Sequence, residues 1–270
     1  MVVFPFCKIN LGLNIISKRP DGYHNLETCF YPLPFCDALE VIPASEFKFV
    51  VTGITVTGDT EDNLCVKAYR LLAQQHQLPP VYMHLHKAIP SGAGLAGGSS
   101  DATHTLLLLN KKFNLGLDHP TLLSYSAQLG SDCPFFLHQQ PMLGSGRGEL
   151  LQPVNISLTG YRFLLVIPGV HISTQQAFSG ITPRVPEQKI SDIIESPAET
   201  WKDHLVNDFE YTVFEQFPEL RQIKETLYHH GAIYASLTGS GSVVFGIFKQ
   251  DAGLKEVAGR FKDNYTVKIF

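Results

Sequence analysis

Apolar and polar positions alternate near the start of the chain. Cys7, Ile9, Leu11, Leu13 and Ile15 are apolar, and Lys8, Asn10, Gly12 and Asn14 between them are polar or small. A period of two marks a half-buried strand with successive side chains on opposite faces. Lys8 and Asn10 then share the face away from the core, and Cys7 points inward. Lys18-Arg19-Pro20-Asp21-Gly22 ends the strand as a turn, with proline, aspartate and glycine in turn positions. Residues 47–57, β-branched and aromatic, predict a second strand region, and residues 81–87 a further one. Residues 61–77 predict a helix with Leu64, Ala68, Leu71 and Leu72 on one face. A glycine-rich stretch follows, and then Ala102, Leu106, Leu109 and Phe113 at helical spacing. Ser99, Ser100 and Asp101 suit the start of that helix and Gly116 its end. Asp118 with Pro120 opens another helix that Gly130 closes, and Asp132 stands just past it.

Beyond Gly160 the pattern predicts a strand (161–167), a helical region (203–230) closed by Gly231, and paired strands (232–237, 242–248). A helix (252–262) and a last strand (265–270) complete it. Residues 181–197, with three prolines, read as a surface excursion. No internal repeat recurs. This layout predicts two α+β units, residues 1–155 and 156–270.

Charge and composition narrow the function classes. In 270 residues, Lys+Arg 21 against Asp+Glu 25 gives a net charge of −4. That excess argues against a non-specific nucleic-acid or anionic-membrane binder. The charged fraction of 17% lies below the usual ~25%, which argues against disorder. Five cysteines (Cys7, Cys29, Cys36, Cys65, Cys133) are irregularly spaced with no CxxC, so they signal neither zinc nor a redox pair. His84 with His86, and His229 with His230, offer two ligands each, too few for a metal site. The apolar start lacks a signal peptide's order of charges. The apolar runs 106–109 and 163–168 fall far short of the ~20 residues of a membrane span. The expectation is a soluble, cytoplasmic protein with reduced thiols.

The chemistry concentrates in Pro90-Ser91-Gly92-Ala93-Gly94-Leu95-Ala96-Gly97-Gly98-Ser99-Ser100-Asp101-Ala102. Glycines let backbone N–H groups approach a ligand, and a helix opening behind them adds its positive dipole end, a combination that holds phosphate. The sequence fails the GxxxxGK[ST] loop, because Gly98 stands where the lysine belongs. Gly92, Gly94 and Gly97 match GxGxxG. The acidic residue that should end a strand about 20 positions later is instead Asp118, a helix start. The HRD and DFG sequences of protein kinases do not occur.

The run Pro90 to Ala102 resembles the central phosphate-binding motif of the GHMP small-molecule kinases, the group of galactokinase, homoserine kinase and mevalonate kinase. Lys8-Ile9-Asn10-Leu11-Gly12-Leu13, with Arg19-Pro20-Asp21-Gly22-Tyr23-His24, resembles the first motif of that group. Leu237-Thr238-Gly239-Ser240-Gly241-Ser242 resembles the third. Gly130-Ser131-Asp132-Cys133-Pro134-Phe135, Gly146-Arg147-Gly148-Glu149 and Asn207-Asp208-Phe209-Glu210 agree further, so the likeness spans about residues 6–248. Residues 168–178 agree only loosely, and residues 182–198 resemble none of these motifs.

The resemblance implies an α+β, two-domain fold. Its N-terminal nucleotide domain is ribosomal-S5-like and its C-terminal substrate domain is ferredoxin-like. It implies ATP-dependent phosphoryl transfer, with Mg²⁺, to an alcohol that bears cytidine diphosphate; it names no protein ligand of the metal. Pro90, Ser91, Gly92, Ala93, Gly94, Leu95, Ala96, Gly97, Gly98, Ser99 and Ser100 would hold the ATP phosphates. Lys8 and Asp132 would be catalytic, Asp132 orienting or deprotonating the attacking hydroxyl. Asn10, Tyr23, His24, Thr174, Phe178, Gly239 and Ser240 would bind the substrate, with Tyr23 and Phe178 sandwiching the pyrimidine. The alternatives are a kinase of the same fold for another alcohol, and a nucleotide-binding protein without catalysis. The presence of both Lys8 and Asp132 speaks against the second.

Overall fold

The computed structural model describes every residue from Met1 to Phe270. A short strand β1 (Val2–Val3) precedes β2 (Phe6–Lys18), which carries the alternating stretch. The expected half-burial does not hold: every residue from Cys7 to Ile15 is buried. Other elements cover the polar face as well as the apolar one. Next come β3 (His24–Cys36), β4 (Ala38–Pro43) and β5 (Lys48–Gly53). The pattern does not predict β3, because Pro32 and Pro34 interrupt it and proline usually argues against a strand.

A 3₁₀ turn over Thr60–Asp62 leads into α1 (Leu64–His76), where the Asn63 side chain accepts from Cys65 N at 2.9 Å. After β6 (Val81–Lys87) come α2 (Gly97–Phe113) and α3 (His119–Leu129). As expected, Asp118 caps α3 and Gly130 closes it. A 3₁₀ segment over Cys133–Leu137 leads to β7 (Met142–Ser145), β8 (Leu150–Pro153) and β9 (Tyr161–Ile167). Two short helices follow, α4 (Thr174–Phe178) and α5 (Ile190–Ile194). The helical region expected over 203–230 is divided into α6 (Phe209–Gln216) and α7 (Pro218–His229), because Pro218 cannot continue the first helix. The chain ends with β10 (Tyr234–Leu237), β11 (Val244–Lys249), α8 (Leu254–Gly259) and β12 (Thr266–Ile269).

The chain forms two compact units, and each is assembled from separate stretches. The first comprises residues 1–8, 32–91 and 96–139, the second residues 9–31, 92–95 and 140–270. Compactness therefore divides the chain differently from the single boundary near 155 that the sequence layout suggests. The reason is local: β2 and β3 each pass from one unit to the other along their length, and so does the glycine-rich loop.

In the first unit, a sheet of order β1-β4-β6-β5 pairs β4 with β6 antiparallel and β5 with β6 parallel. Leu39, Val41, Met83 and Leu85 from the sheet pack with Leu72 of α1, Leu106 and Leu109 of α2 and Leu122 of α3. In the second unit an antiparallel sheet runs β10-β11-β9-β12, and a further sheet has the order β2-β3-β7-β8. Leu164, Val166, Val244 and Phe248 pack there with Val213, Leu220, Leu227 and Val257 of the helices. The segment expected as a surface excursion is only partly one. Ile190, Ile193 and Ile194 of α5 are buried, so three isoleucines anchor it.

Candidate active site

Lys8 and Asp132 meet in the first unit. Lys8 Nζ lies 3.6 Å from Asp132 Oδ2, with the lysine side chain 4% exposed and the aspartate 34% exposed. Burial pushes the Lys8 pKa down, and the Asp132 carboxylate pulls it back up. A buried ammonium beside a carboxylate that water and ligand can reach is a directed positive charge. Asp132 is held by what flanks it. Gly130 ends α3 with its N–H on Ser126 O, and the turn after Asp132 is tied down where Thr103 Oγ1 of α2 donates to Cys133 O at 2.8 Å. Phe135 and Phe136 are buried there, packed edge-on against Phe6. Burial pushes the Cys133 thiol up to about 11, which disfavours the nucleophilic thiolate.

The helix behind the phosphate loop begins two residues before the expected Ser99-Ser100-Asp101 start. α2 opens at Gly97, and its N-cap is Ala96 in the left-handed conformation (φ 54°), with no side chain capping it. The first N–H groups of a helix have no partner within it, so an uncapped start leaves them for a ligand. Ser100 is buried with its hydroxyl 3.3 Å from His104 Nδ1. Asp101 is not a cap either. It turns inward to Lys87 Nζ at 2.7 Å, and Lys87 also holds Asp37. Burial, the largest influence, pushes Asp101 up to about 7 against the pull of Lys87. Burial also opposes the Lys87 charge, but the two carboxylates overcome it and raise that pKa. Beside the loop is a cavity of about 240 Å³, lined by Phe49, Val51, Val56, Asn63, Leu64 and Leu85 together with Lys87, Ser91, Gly98 and Asp101.

The middle of the loop, Gly92–Leu95, belongs to the second unit and is laced to the third glycine motif. Val243 N donates to Ala93 O at 3.2 Å. A β-carbon on Gly94 (φ +80°) would lie 1.9 Å from Thr238 O, so only glycine fits. Thr238 Oγ1 accepts from Asn10 N at 3.0 Å and shares its proton between Asn10 Oδ1 (3.3 Å) and Gly94 O (3.1 Å). Asn10 Nδ2 donates to Thr28 Oγ1 at 2.9 Å. Asn10, expected among the substrate contacts, is thus a buried link that holds the Thr238 turn. Asn207 supports the same turn by donating to Leu237 O (2.8 Å) and Gly239 O (2.9 Å). Gly239 is buried and Ser240 partly exposed.

The aromatic candidates also lie in the second unit. His24 stacks on Phe178 with centroids 4.6 Å apart and planes 17° from parallel. Burial lowers the His24 pKa, with Lys18 adding to it, which favours the neutral ring. Tyr23 is 55% exposed, and the Arg147 guanidinium lies 4.9 Å from its ring centre. His24 thus lies on one face of Phe178, and Arg147 lies over Tyr23. Thr174 is exposed at the first position of α4, which a reciprocal Ser173–Gln176 capping box starts. The sequence points to no role for Arg147, Asn207 or Lys87, nor for Phe49, Val51, Val56, Asn63 and Leu85 of the cavity. Arg147 and Asn207 do stand in noted motifs. Asn63-Leu64, a cap before an apolar helix, carries no such signal.

Two family models match the chain: GHMP kinases N terminal domain over residues 63–140 and GHMP kinases C terminal over residues 190–267. A 4-diphosphocytidyl-2-C-methyl-D-erythritol kinase of Bacteroides fragilis is 52% identical, covering 93% of each chain. One of Cytophaga hutchinsonii is 48% identical, covering 92% of each. A solved structure of a 4-(cytidine 5'-diphospho)-2C-methyl-D-erythritol kinase superposes with a TM-score of 0.86 at 29% identity, covering 100% of this chain and 98% of that one.

Proposed function

Because this chain belongs to the 4-diphosphocytidyl-2-C-methyl-D-erythritol kinase family of the GHMP kinases, we propose that Lys8 and Asp132 carry its ATP-dependent phosphoryl transfer to an alcohol. The acceptor is the 2-hydroxyl of 4-diphosphocytidyl-2-C-methyl-D-erythritol, in the non-mevalonate route to isoprenoid precursors. The observation that carries this reading is the ion pair of buried Lys8 with partly exposed Asp132. Asp132 accepts or orients the hydroxyl proton, and the Lys8 charge steadies the oxygen as it attacks. The backbone of Pro90–Ser100 and the uncapped start of α2 hold the phosphates. The cavity beside Ser91 and Gly98 receives the nucleoside.

ATP would bring Mg²⁺ with it. Such an ion is ordinarily carried by phosphate oxygens and water together with few protein groups. Bound there, it would neutralise charge on the β- and γ-phosphate oxygens.

Tyr23, His24 and Phe178 recognise the cytosine. Their ring faces supply stacking, and a neutral His24 supplies hydrogen bonding. Thr174, Gly239 and Ser240 contact the rest of the substrate, and Asn10 acts by fixing the Thr238 turn. Residues 1–155 then hold ATP and the catalytic pair, and 156–270 contribute the remaining substrate contacts. No helix is long and apolar enough to cross a membrane. The test is an ADP-release assay over a panel of alcohols, with each product weighed by mass spectrometry. Selective turnover of the cytidine compound supports the reading. Equal turnover of homoserine, galactose or the uridine analogue overturns the substrate assignment.

A further inference from the structure

Lys87 reaches both legs of the phosphate loop. Its ammonium lies between Asp37 and Asp101, and all three side chains are at most 3% exposed. Asp37 Oδ1 accepts Ala88 N at 2.6 Å and Ile89 N at 2.8 Å, the two residues that lead into Pro90. Asp101, near the start of α2, takes Lys87 Nζ on Oδ2 at 2.7 Å. One cation thus grips the incoming leg through Asp37 and the outgoing leg through Asp101. The legs also touch directly: a β-carbon on Gly97 would lie 2.8 Å from Ile89 Cγ2 and 3.2 Å from Lys87 Nζ. Lys87 and Asp101 line the same cavity as Ser91 and Gly98, and Asp101 Oδ1 is buried there without a hydrogen-bond partner.

Stability alone does not account for this cluster. Desolvating three charges is costly, and well-packed apolar side chains of the same volume commonly stabilise a fold as well or better. A fixed ionic network supplies geometry instead. Backbone N–H groups that bind phosphate act best when their spacing is set before the ligand arrives, so that no reorganisation opposes binding. We propose that Lys87, through Asp37 and Asp101, is a positioning residue that sets the width of the phosphate loop for ATP. It rests on the kinase reading above and adds the element that holds the loop in register.

The test removes one tether and leaves no charge unpaired. Asp101→Ala keeps the Lys87–Asp37 pair intact, and Asp101→Asn keeps an acceptor for Lys87 in the same place. Calorimetric ATP binding and steady-state kinetics are measured on each folded variant. Asp101→Ala raises both the Kd and the KM for ATP about tenfold, as the loss of one charge-assisted hydrogen bond implies. Its kcat at saturating ATP stays within about threefold of wild type, since the loop positions the nucleotide and leaves the reacting oxygens to other groups. Asp101→Asn restores ATP affinity to within about threefold of wild type, because its amide oxygen still accepts from Lys87. If Asp101→Ala does not fold, Asp101→Leu removes the same tether while filling the space. An unchanged ATP Kd in the folded Ala or Leu variant overturns the proposal, and so does an Asn variant as weak as the Ala one. A wild-type protein that binds no ATP overturns the kinase reading itself, which separates the two failures.

Discussion

Lys8 shows how far one side chain's role depends on its surroundings. On an exposed strand face it would be a solvated lysine. Here it is 4% exposed and 3.6 Å from Asp132. Asp132→Asn keeps the shape but removes the charge and most of the proton acceptance, so kcat should fall about 10²–10⁴-fold with ATP affinity unchanged. Lys8→Met should act likewise. Steady-state kinetics with calorimetric ATP binding checks both, and a near wild-type kcat in Asp132→Asn refutes the assignment. At the substrate end, Tyr23→Ala should raise the KM for the cytidine substrate about 10- to 100-fold, the worth of one stacked base, with the KM for ATP hardly moved. Equal shifts in both constants would argue that Tyr23 supports the fold rather than the base.

At the scale of elements, α2 and the loop before it act as one piece. The helix starts at Gly97 because Ala96 turns left-handed and the residues beyond it face inward. Gly97 is glycine because Ile89 and Lys87 occupy the space a side chain would need. Gly97→Val must push the two legs of the loop apart, and ATP binding should be lost. Calorimetry on the folded variant checks this, and unchanged affinity would mean that the loop is only a turn. Much of the loop's character is legible in the sequence, because glycines before a helix carry their own conformational meaning. Which serine faces out is not legible, since it depends on a helical phase two residues away from the expected one.

At the scale of the whole molecule, buried titratable groups couple the fold to pH. The folded pKa of Asp101, about 7, lies above the ordinary aspartate value of about 3.9, so the folded protein holds that proton more tightly. Its stabilising contribution is full below the unfolded pKa and is lost as pH rises through about 7. Asp101→Asn has no charge to desolvate, so its Tm should gain on wild type as pH goes from 5 to 8. A constant difference over that range would contradict the linkage. The thiols give an independent check on packing. Cys7, Cys29, Cys65 and Cys133 are buried, and burial pushes Cys7 and Cys29 up to about 12. Cys36 is half-buried. A thiol reagent should titrate Cys36 in the native protein and the other four only on unfolding; rapid reaction of more than one thiol would show looser packing.

The α+β character, the central helices and strands and the glycine-rich loop follow from the chain read alone, whereas Lys8 and Asp132 are singled out by the likeness to the GHMP kinases. Each is a local matter: a periodicity, a turn composition, or a short motif whose residues act together because they are adjacent. What required the tertiary structure is contact between distant residues. Strand β3 forms despite Pro32 and Pro34. Both faces of β2 are buried, and His24 stacks on Phe178. Lys87 meets Asp37 and Asp101, which lie on separate elements. Alternation tells which side chains share a face, but it carries no information about what will cover that face. Burial, and with it the charge and the chemistry of Lys8, Lys87 and Asp101, is therefore decided only when the elements pack.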